Sequence, residues 1–169
     1  MAIAHHVTPI QDDWDWLSVA QHHGLVTRLL DWTSNPLAAI YFAACELDDR
    51  DGSVIAITYP KTLTLDKHKP FVTKFTGVVR PRGVVPRILR QGGSFTYHAK
   101  PELPLVVDDE LVGKMESFEI PRAAKKKLIA QLAFFGVHRY SMFPDLDGLS
   151  SYTNWSISSG EYWRTPDQA

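Results

Sequence analysis

The densest group of residues able to do chemistry lies between Gln21 and Asn35, where polar side chains stand among leucine, valine and tryptophan. Because a buried charge is costly unless it is paired, we expect Arg28 and Asp31 to satisfy either one another or a ligand. A predicted helix begins at the end of this block, and a helix N-terminus favours an anion such as phosphate. A structural ion pair and a ligand site both fit the pattern. We predict that the two charges are coupled, buried and adjacent to the site, with Arg28 nearer the ligand.

Adjacent histidines, His22 and His23, raise the question of a metal site. Neighbours on a helix point about 100° apart and do not readily share one ion, whereas residues four apart can. The sequence has no His-x-x-x-His and no Glu-x-x-His. We therefore assign no metal, and a hydrolase built on these histidines and Asp31 is the least favoured alternative.

Other reactive patterns have plainer interpretations. Asp145-Leu-Asp147-Gly148 lacks the remaining acidic ligands of a calcium loop, so we expect a turn held by aspartate-to-backbone bonds. Cys45 has no companion cysteine and falls in an apolar stretch, where we expect an inert core residue and no disulfide. The glycine motifs of nucleotide-binding loops and the serine elbow of hydrolases do not occur in the sequence.

Local signals predict the elements that position the first block. Gly24 is expected to end a helix in the left-handed conformation that favours glycine. Ser34 or Asn35 can cap the next helix, with Pro36 in its first turn. The expected elements are a helix over 13–23, an extended segment over 25–33, a helix over 36–47 and a buried strand over 53–59.

The second half is expected to hold more strands and a further helix. The proline-containing stretch 60–90 predicts a long excursion with short strands and no helix. A helix is expected to begin at Pro121 and to end before Gly136, with Lys125–Lys127 on a solvated face. Strands are expected over 94–98 and 114–120. The apolar face of the helix that begins at Pro121 is expected to contain Leu128, Leu132 and Phe135.

Length, composition and element order restrict the class of protein. A chain of 169 residues favours one domain, and the order of elements favours the α+β class with a mixed or antiparallel sheet and three to four helices. The net charge of −1 argues against a nucleic-acid or membrane-surface partner. No apolar run approaches the roughly 20 residues that span a bilayer. With one cysteine and no targeting signal, a cytoplasmic protein is expected.

Three groups of residues carry a resemblance to the FRG domain family, which is named for a Phe-Arg-Gly motif. The groups are QHHGLVTRLLDWTSNP at 21–36 with AIYFA at 39–43, then Arg87-x-x-x-Gln91-x-Gly93-x-Phe95, then Ile120-Pro121, Leu132-x-x-x-Gly136 and FPDLDGL at 143–149. The resemblance implies an FRG-like domain over 1–152 and a tail over 153–169. The naming motif normally precedes the first group and does not occur here, so we expect its segment to be missing from this chain.

The order of these motifs is also similar to that of NAD-dependent ADP-ribosyltransferases of the Arg-Ser-Glu class, which implies a fold of that kind. Thr33 and Ser34 then match the Ser-Thr-Ser position, and Gln91 matches the catalytic glutamate. The first-strand arginine is missing, and an amide cannot replace the carboxylate that polarises the attacking group. The resemblance implies catalytic roles for Gln91 and His22, and ligand-binding roles for His23, Arg28, Asp31, Thr33, Asn35 and Arg87.

Two functions remain open from the sequence. One is a nucleotide-binding module for NAD- or ADP-ribose-like ligands, with weak or absent ADP-ribosyltransferase activity. The alternative is a non-catalytic sensing or partner-binding domain of a larger defence or toxin-type protein. No cofactor is assigned, NAD is the candidate substrate, and no protein partner can be named.

Overall fold

The computed structural model describes residues 9–59, 61–105 and 113–160. Its helices and strands alternate irregularly, which confirms the predicted α+β class. Six helices occur in this part of the chain, more than the three to four predicted. In chain order the elements are α1 (Asp13–His22), β1 (Leu29–Thr33), α2 (Pro36–Ala44), β2 (Gly52–Thr58), β3 (Thr62–Leu63), β4 (Gly77–Val79), α3 (Pro86–Arg90), β5 (Gly93–Tyr97), β6 (Lys114–Ile120), α4 (Arg122–Phe134), α5 (Arg139–Met142) and α6 (Leu146–Ser158).

The described residues form two compact units. The first takes the chain up to Ser34 and then Ile55–Ser117, and the second takes Asn35–Val54 and the chain from Phe118 onward. Each unit has its own hydrophobic cluster. The cluster of the first unit contains Trp14, Leu29, Leu63, Val79, Val84, Val85, Ile88, Phe95 and Tyr97, and that of the second contains Ala38, Tyr41, Leu132, Val137 and Met142.

A four-stranded mixed sheet organises the first unit, with strand order β1-β5-β4-β3. β5 runs antiparallel to both β1 and β4, whereas β3 runs parallel to β4. Phe95 and Tyr97 of β5 both join the hydrophobic cluster, because residues two apart in a strand lie on the same face. The other strands contribute Leu29, Leu63 and Val79. α1 and α3 supply Trp14 and Ile88 to the same cluster. The sheet type therefore agrees with the sequence-based prediction.

The end of α1 and the start of α2 are as predicted, and the structure adds a cap for α1. Asp12 caps α1 by accepting from the N–H groups of Trp14 and Asp15, and Gly24 follows that helix with φ +83°. Asn35 caps α2, and Pro36 occupies its first turn. α2 ends at Ala44 rather than at residue 47. These positions follow from hydrogen bonds within a few residues, so the sequence contains the information.

Two expectations about other elements were wrong. β2 pairs with β6 in a two-stranded sheet, and most of its residues are partly or fully exposed rather than buried. The stretch 60–90 contains a helix, α3, whose five residues are too few to show a helical period. Cys45, expected as an inert core residue, lies at the C-terminal cap of α2 and packs half-buried against the cluster of the second unit. Burial raises the pKa of its thiol.

α4 contributes Leu132 to the cluster of the second unit, as predicted, but Phe135 is 70% exposed. Phe135 is the residue after the helix, and its backbone (φ −83°, ψ 9°) has left the helical conformation. Its side chain therefore does not extend the apolar stripe that its spacing from Leu128 and Leu132 predicted. Gly136 then takes φ +79°, in agreement with its predicted position past the helix end.

Lys125 was expected on a solvated face and is instead 2% exposed. Its Nζ donates to the carbonyl oxygens of Glu46 and Leu47, at 2.9 and 3.0 Å. A cation favours the C-terminal end of a helix, and these carbonyls directly follow α2. Lys126 and Lys127 are exposed, as expected. The prediction for Lys125 failed because its partners lie 78 and 79 positions away in sequence.

We expect Lys125→Met to lower the free energy of unfolding by about 1–3 kcal/mol, because both carbonyls lose their donor while the aliphatic stem stays. Lys126→Met is the matched control, since the same change is made at an exposed neighbour. It should stay within about 0.5 kcal/mol of the wild type. Urea unfolding of the three proteins measures the difference, and equal effects at both positions would contradict the buried role of Lys125.

The segment after Tyr152 was assigned to a tail, yet α6 continues through that position to Ser158. Asp145 caps α6, and its Oδ1 accepts from the N–H of Gly148 at 2.6 Å. A side chain at Gly148 would meet the carbonyl oxygen of Phe143, so this turn requires glycine. The predicted aspartate-to-backbone bond is therefore confirmed, although residues 146–148 form the first turn of α6. Residues 161–169 of the predicted tail lie outside the described residues.

Candidate functional site

Pairing of β1 with β5 brings the first two sequence blocks together. The ladder runs without interruption from Leu29 opposite Tyr97 to Thr33 opposite Gly93. At the Thr33 end of the ladder, the Thr33 hydroxyl donates to the carbonyl oxygen of Gln91 at 2.6 Å. The N–H of Ser34 donates to the carbonyl oxygen of Gly92 at 2.9 Å. Residues 21–34 and 87–95 thus belong to one structural region, although their functional roles stay predictions.

The second block is a short helix followed by a tight turn. Arg87 lies in the first turn of α3, and Gln91 is the cap residue at its end. The N–H of Gln91 donates to the Arg87 carbonyl at 3.0 Å, and both side chains are half-buried. Gly92 has φ +61°, and a Cβ at Gly93 would come within 2.9 Å of the Ile88 side chain. This geometry accounts for the spacing of Arg87, Gln91 and Gly93.

Gln21 ties the end of α1 to the start of β1. Its Oε1 accepts from the Thr27 hydroxyl at 2.6 Å, and its Nε2 donates to the carbonyl of Leu29 at 3.4 Å and to Asp31 Oδ2 at 3.2 Å. The Thr27 hydroxyl in turn accepts from the N–H of Leu29 at 3.0 Å. The amide of Gln21 is thereby occupied by the protein itself. Its contribution is to position the loop that carries Arg28.

Arg28 and Asp31 do not form the buried pair that the sequence suggested. Asp31 is exposed and bonds to Gln21, whereas Arg28 bonds elsewhere. Positions 28 and 31 would need a bend or bulge to meet, and the β1–β5 register has none. The predicted coupling between the two charges is therefore wrong.

The guanidinium of Arg28 is held by aromatic and carbonyl groups instead. Its Nη1 donates to the Tyr97 hydroxyl at 3.1 Å and to the Pro70 carbonyl at 3.4 Å. The guanidinium carbon lies 5.5 Å from the ring centre of Phe71 and 5.7 Å from that of Tyr97. Within the described part of the chain, no carboxylate lies within ion-pair distance of this cation. Arg28 is thus a half-buried, oriented cation that lacks a counter-ion among these residues.

The remaining predicted residues are spread along the strand and beyond it. Arg28 and Thr33 mark opposite ends of β1, about 17 Å apart at the usual rise of a strand. Asn35 accepts from the N–H of Leu37 at 3.0 Å and belongs to the second unit. His22 is half-buried, His23 is exposed, and their ring centres lie 5.0 Å apart. No cluster of histidine, cysteine and carboxylate groups suited to a metal occurs in the residues described.

Sequence reasoning did not identify Pro70, Phe71 and Tyr97, which surround Arg28. Tyr97 was part of a predicted strand, and nothing local distinguishes a tyrosine that bonds an arginine from one that packs. Pro70 and Phe71 lie 42 or more positions from Arg28 in a stretch without a clear period. Their proximity arises only from the tertiary fold.

A buried polar chain also crosses the sheet from Trp32 to His98. The indole N–H of Trp32 donates to the Thr96 hydroxyl at 3.0 Å, which lies 2.9 Å from Nε2 of His98. Burial lowers the pKa of His98 below its ordinary value of 6.5. Burial therefore favours the neutral form of this histidine at pH 7.

We expect the burial of His98 to make folding stability depend on pH. Because the pKa of His98 is lowered in the folded state, its neutral form contributes stability above about pH 6.5 that is lost as the pH falls toward the folded pKa. His98→Gln should therefore lose less stability than the wild type between pH 7.5 and 5.5 in urea unfolding. His23→Gln, at an exposed position, should keep the wild-type loss. Equal losses in wild type and His98→Gln would contradict this role.

Comparisons with known proteins identify one family. The model of the FRG domain family matches residues 1–52 of the 169. No curated protein and no solved structure matches the chain. In the described residues, no helix has the length and apolar character needed to span a membrane. The matched segment contains the whole Gln21–Asn35 block, which confirms the resemblance drawn from that block. Residues 1–52 of this chain are therefore similar to the FRG domain family.

Proposed function

We propose that this FRG-domain chain is a nucleotide-binding module that holds NAD- or ADP-ribose-like ligands by their phosphate groups. The observation that carries the proposal is Arg28, a half-buried cation oriented by the Tyr97 hydroxyl and the Pro70 carbonyl, with no carboxylate near it in the residues described. A desolvated charge favours an opposite charge as its partner. A phosphate supplies that charge.

The free donors of Arg28 suit this ligand. Only Nη1 bonds to protein atoms within the part of the chain that is described, so the N–H groups of Nε and Nη2 remain for an acceptor. These groups form the fork that binds two oxygens of one phosphate. A hydrogen bond to a charged group contributes about 1.5–3 kcal/mol, which is enough to anchor a small ligand weakly.

We propose weak or absent ADP-ribosyltransferase activity for the chain as it stands. Gln91 occupies the position that resembles the catalytic glutamate, and its amide does not ionise. Arg28 also lies at the other end of β1 from Thr33, which is bonded to Gln91. The expected result is that NAD stays intact during prolonged incubation with the protein while still binding to it.

Titration of the wild-type protein with NAD, ADP-ribose, ATP and inorganic pyrophosphate tests the proposal. Trp14 provides an internal signal, because its ring packs edge-on against Tyr97 at 5.4 Å and Tyr97 bonds to Arg28. Binding should change tryptophan fluorescence and should weaken as salt is added, since the contact is ionic. No calorimetric heat and no fluorescence change at millimolar concentrations of all four compounds would reject the function.

A non-catalytic partner-binding role is the second candidate, favoured by one observation. The loop between α1 and β1 exposes Leu25 and Val26, the latter by 95%. Exposed apolar side chains that lie together are a feature of protein interaction sites. Under this role, Val26→Asp abolishes association with a protein partner and leaves the affinity for ADP-ribose unchanged. Under the nucleotide role alone, Val26→Asp alters neither.

A further inference from the structure

Phe71 presents an aromatic ring on a firmly held turn. The ring is 62% exposed, although the preceding Pro70 is fully buried. The carbonyl oxygens of Pro70 and Thr73 share the single proton of the Tyr97 hydroxyl, with the Thr73 oxygen 2.9 Å from it. The N–H of Thr73 donates to the carbonyl oxygen of Lys69 at 3.0 Å. Because the backbone on both sides is fixed, the exposure of the ring is built into the turn.

The surroundings of this ring are basic. The Arg28 guanidinium lies 5.5 Å from its centre, and three exposed lysines lie within four positions of Phe71 in the sequence. These are Lys67, Lys69 and Lys74. None of them forms an ion pair with the described residues, and the nearby Asp66 is bound to Arg82. A flat apolar ring beside the Arg28 cation, on a segment rich in exposed lysines, complements a ligand that has both a planar aromatic group and a negative charge.

We propose that Phe71 is the stacking platform for the base of a nucleoside phosphate whose phosphate is bound by Arg28. Every nucleobase has a π face, so an aromatic side chain accepts a base without a sequence-specific hydrogen bond. This inference rests on the proposed function and adds the residue that recognises the base. An apolar protein segment would also cover the ring, but the cations around it favour an anionic ligand.

The test compares two probes in wild type and Phe71→Leu by calorimetry. ADP-ribose carries a base and phosphates, whereas inorganic pyrophosphate carries the charge alone. Phe71→Leu keeps an apolar side chain and removes the π face, so its affinity for ADP-ribose should fall by at least about fivefold. Its affinity for pyrophosphate should equal that of the wild type. Phe134→Leu, at a phenylalanine that is 73% exposed in the second unit, is the matched control and should bind both probes normally.

Two other outcomes distinguish a failure of the stacking role from a failure of the proposed function. If Phe71→Leu binds ADP-ribose as tightly as the wild type, the stacking role is overturned and the proposed function stands. If the wild type binds neither probe, the proposed function and this inference both fail. Thermal melting of Phe71→Leu should match that of the wild type, because the replaced ring is mostly exposed.

Discussion

Arg82→Met is expected to lower the free energy of unfolding by about 3–5 kcal/mol, because it leaves a buried carboxylate without its counter-charge. Nη1 of Arg82 lies 2.8 Å from Asp12 Oδ2 and 3.4 Å from Asp15 Oδ1, and Nη2 lies 3.3 Å from Asp66 Oδ1. Asp15 is only 1% exposed, so solvent does not replace the lost guanidinium. Denaturant unfolding measures the effect.

Arg80→Met is the matched control for this change, because Arg80 is exposed and forms no ion pair within the described residues. It should alter stability by less than about 0.5 kcal/mol. If both variants unfold at the same denaturant concentration, the ion network does not stabilise the first unit, and the structural interpretation of Asp15 is wrong.

The ion pairs of Arg82 should also make the free energy of unfolding depend on pH in the acid range. Burial alone would raise the pKa of Asp12, but the hydrogen bond and charge of Arg82, with the N–H groups of Asp15 and Trp14, hold the pKa below its ordinary value of 3.8. A lowered pKa stabilises the folded state above about pH 4, and this stability is lost as the pH falls through the folded pKa. Arg82→Met should therefore lose less stability between pH 5 and 3 than the wild type.

Leu132→Ala is expected to lower the free energy of unfolding by about 2–5 kcal/mol, since it removes a buried side chain and leaves a cavity. Leu132 packs with Tyr41 and Met142 in the cluster of the second unit. Phe135→Ala provides the contrast, because the larger ring is mostly exposed and its loss should change stability by less than about 0.5 kcal/mol. A greater loss for Phe135→Ala than for Leu132→Ala in urea unfolding would contradict this description of α4.

The parts of the fold predicted correctly from sequence depend on neighbours in the chain. Asn35 and Pro36 mark the start of α2 because an N-cap and a first-turn proline act within one helical turn. Gly24 and Gly136 mark helix ends because the left-handed conformation is cheapest for glycine. These helix starts and ends depend only on residues a few positions apart, so they can be predicted without knowing the tertiary fold.

The errors concern residues whose partners are remote. Lys125 resembles its exposed neighbours in sequence, and only the carbonyls after α2 explain its burial. Arg28 and Asp31 are close in sequence and opposite in charge, which suggested a pair, but the tertiary partners of Arg28 are Pro70 and Tyr97. Electrostatic patterns along a chain indicate that a charge needs a partner, and they do not identify it.

For the candidate site, the sequence identified the two blocks that β1 and β5 bring together, and the family match covers the first of them. The sequence did not show which polar residues lie at which end of the β1–β5 ladder, because sequence position alone does not give the distance between side chains. Arg28 falls at one end with the aromatic rings, whereas Thr33 and Gln91 are bonded at the other. The proposed ligand therefore takes its anchor from Arg28, and catalytic roles at the other end remain predictions.

The affinity of ADP-ribose for Arg28→Met, compared with the wild type and with Arg90→Met, tests the central claim most directly. Arg90 is an exposed arginine of α3, so it controls for the loss of one positive charge. If Arg28 anchors the phosphates, Arg28→Met should bind about tenfold or more weakly, in line with a charged hydrogen bond of about 1.5–3 kcal/mol, while Arg90→Met binds normally. A folded Arg28→Met protein that binds ADP-ribose as tightly as the wild type would contradict the account.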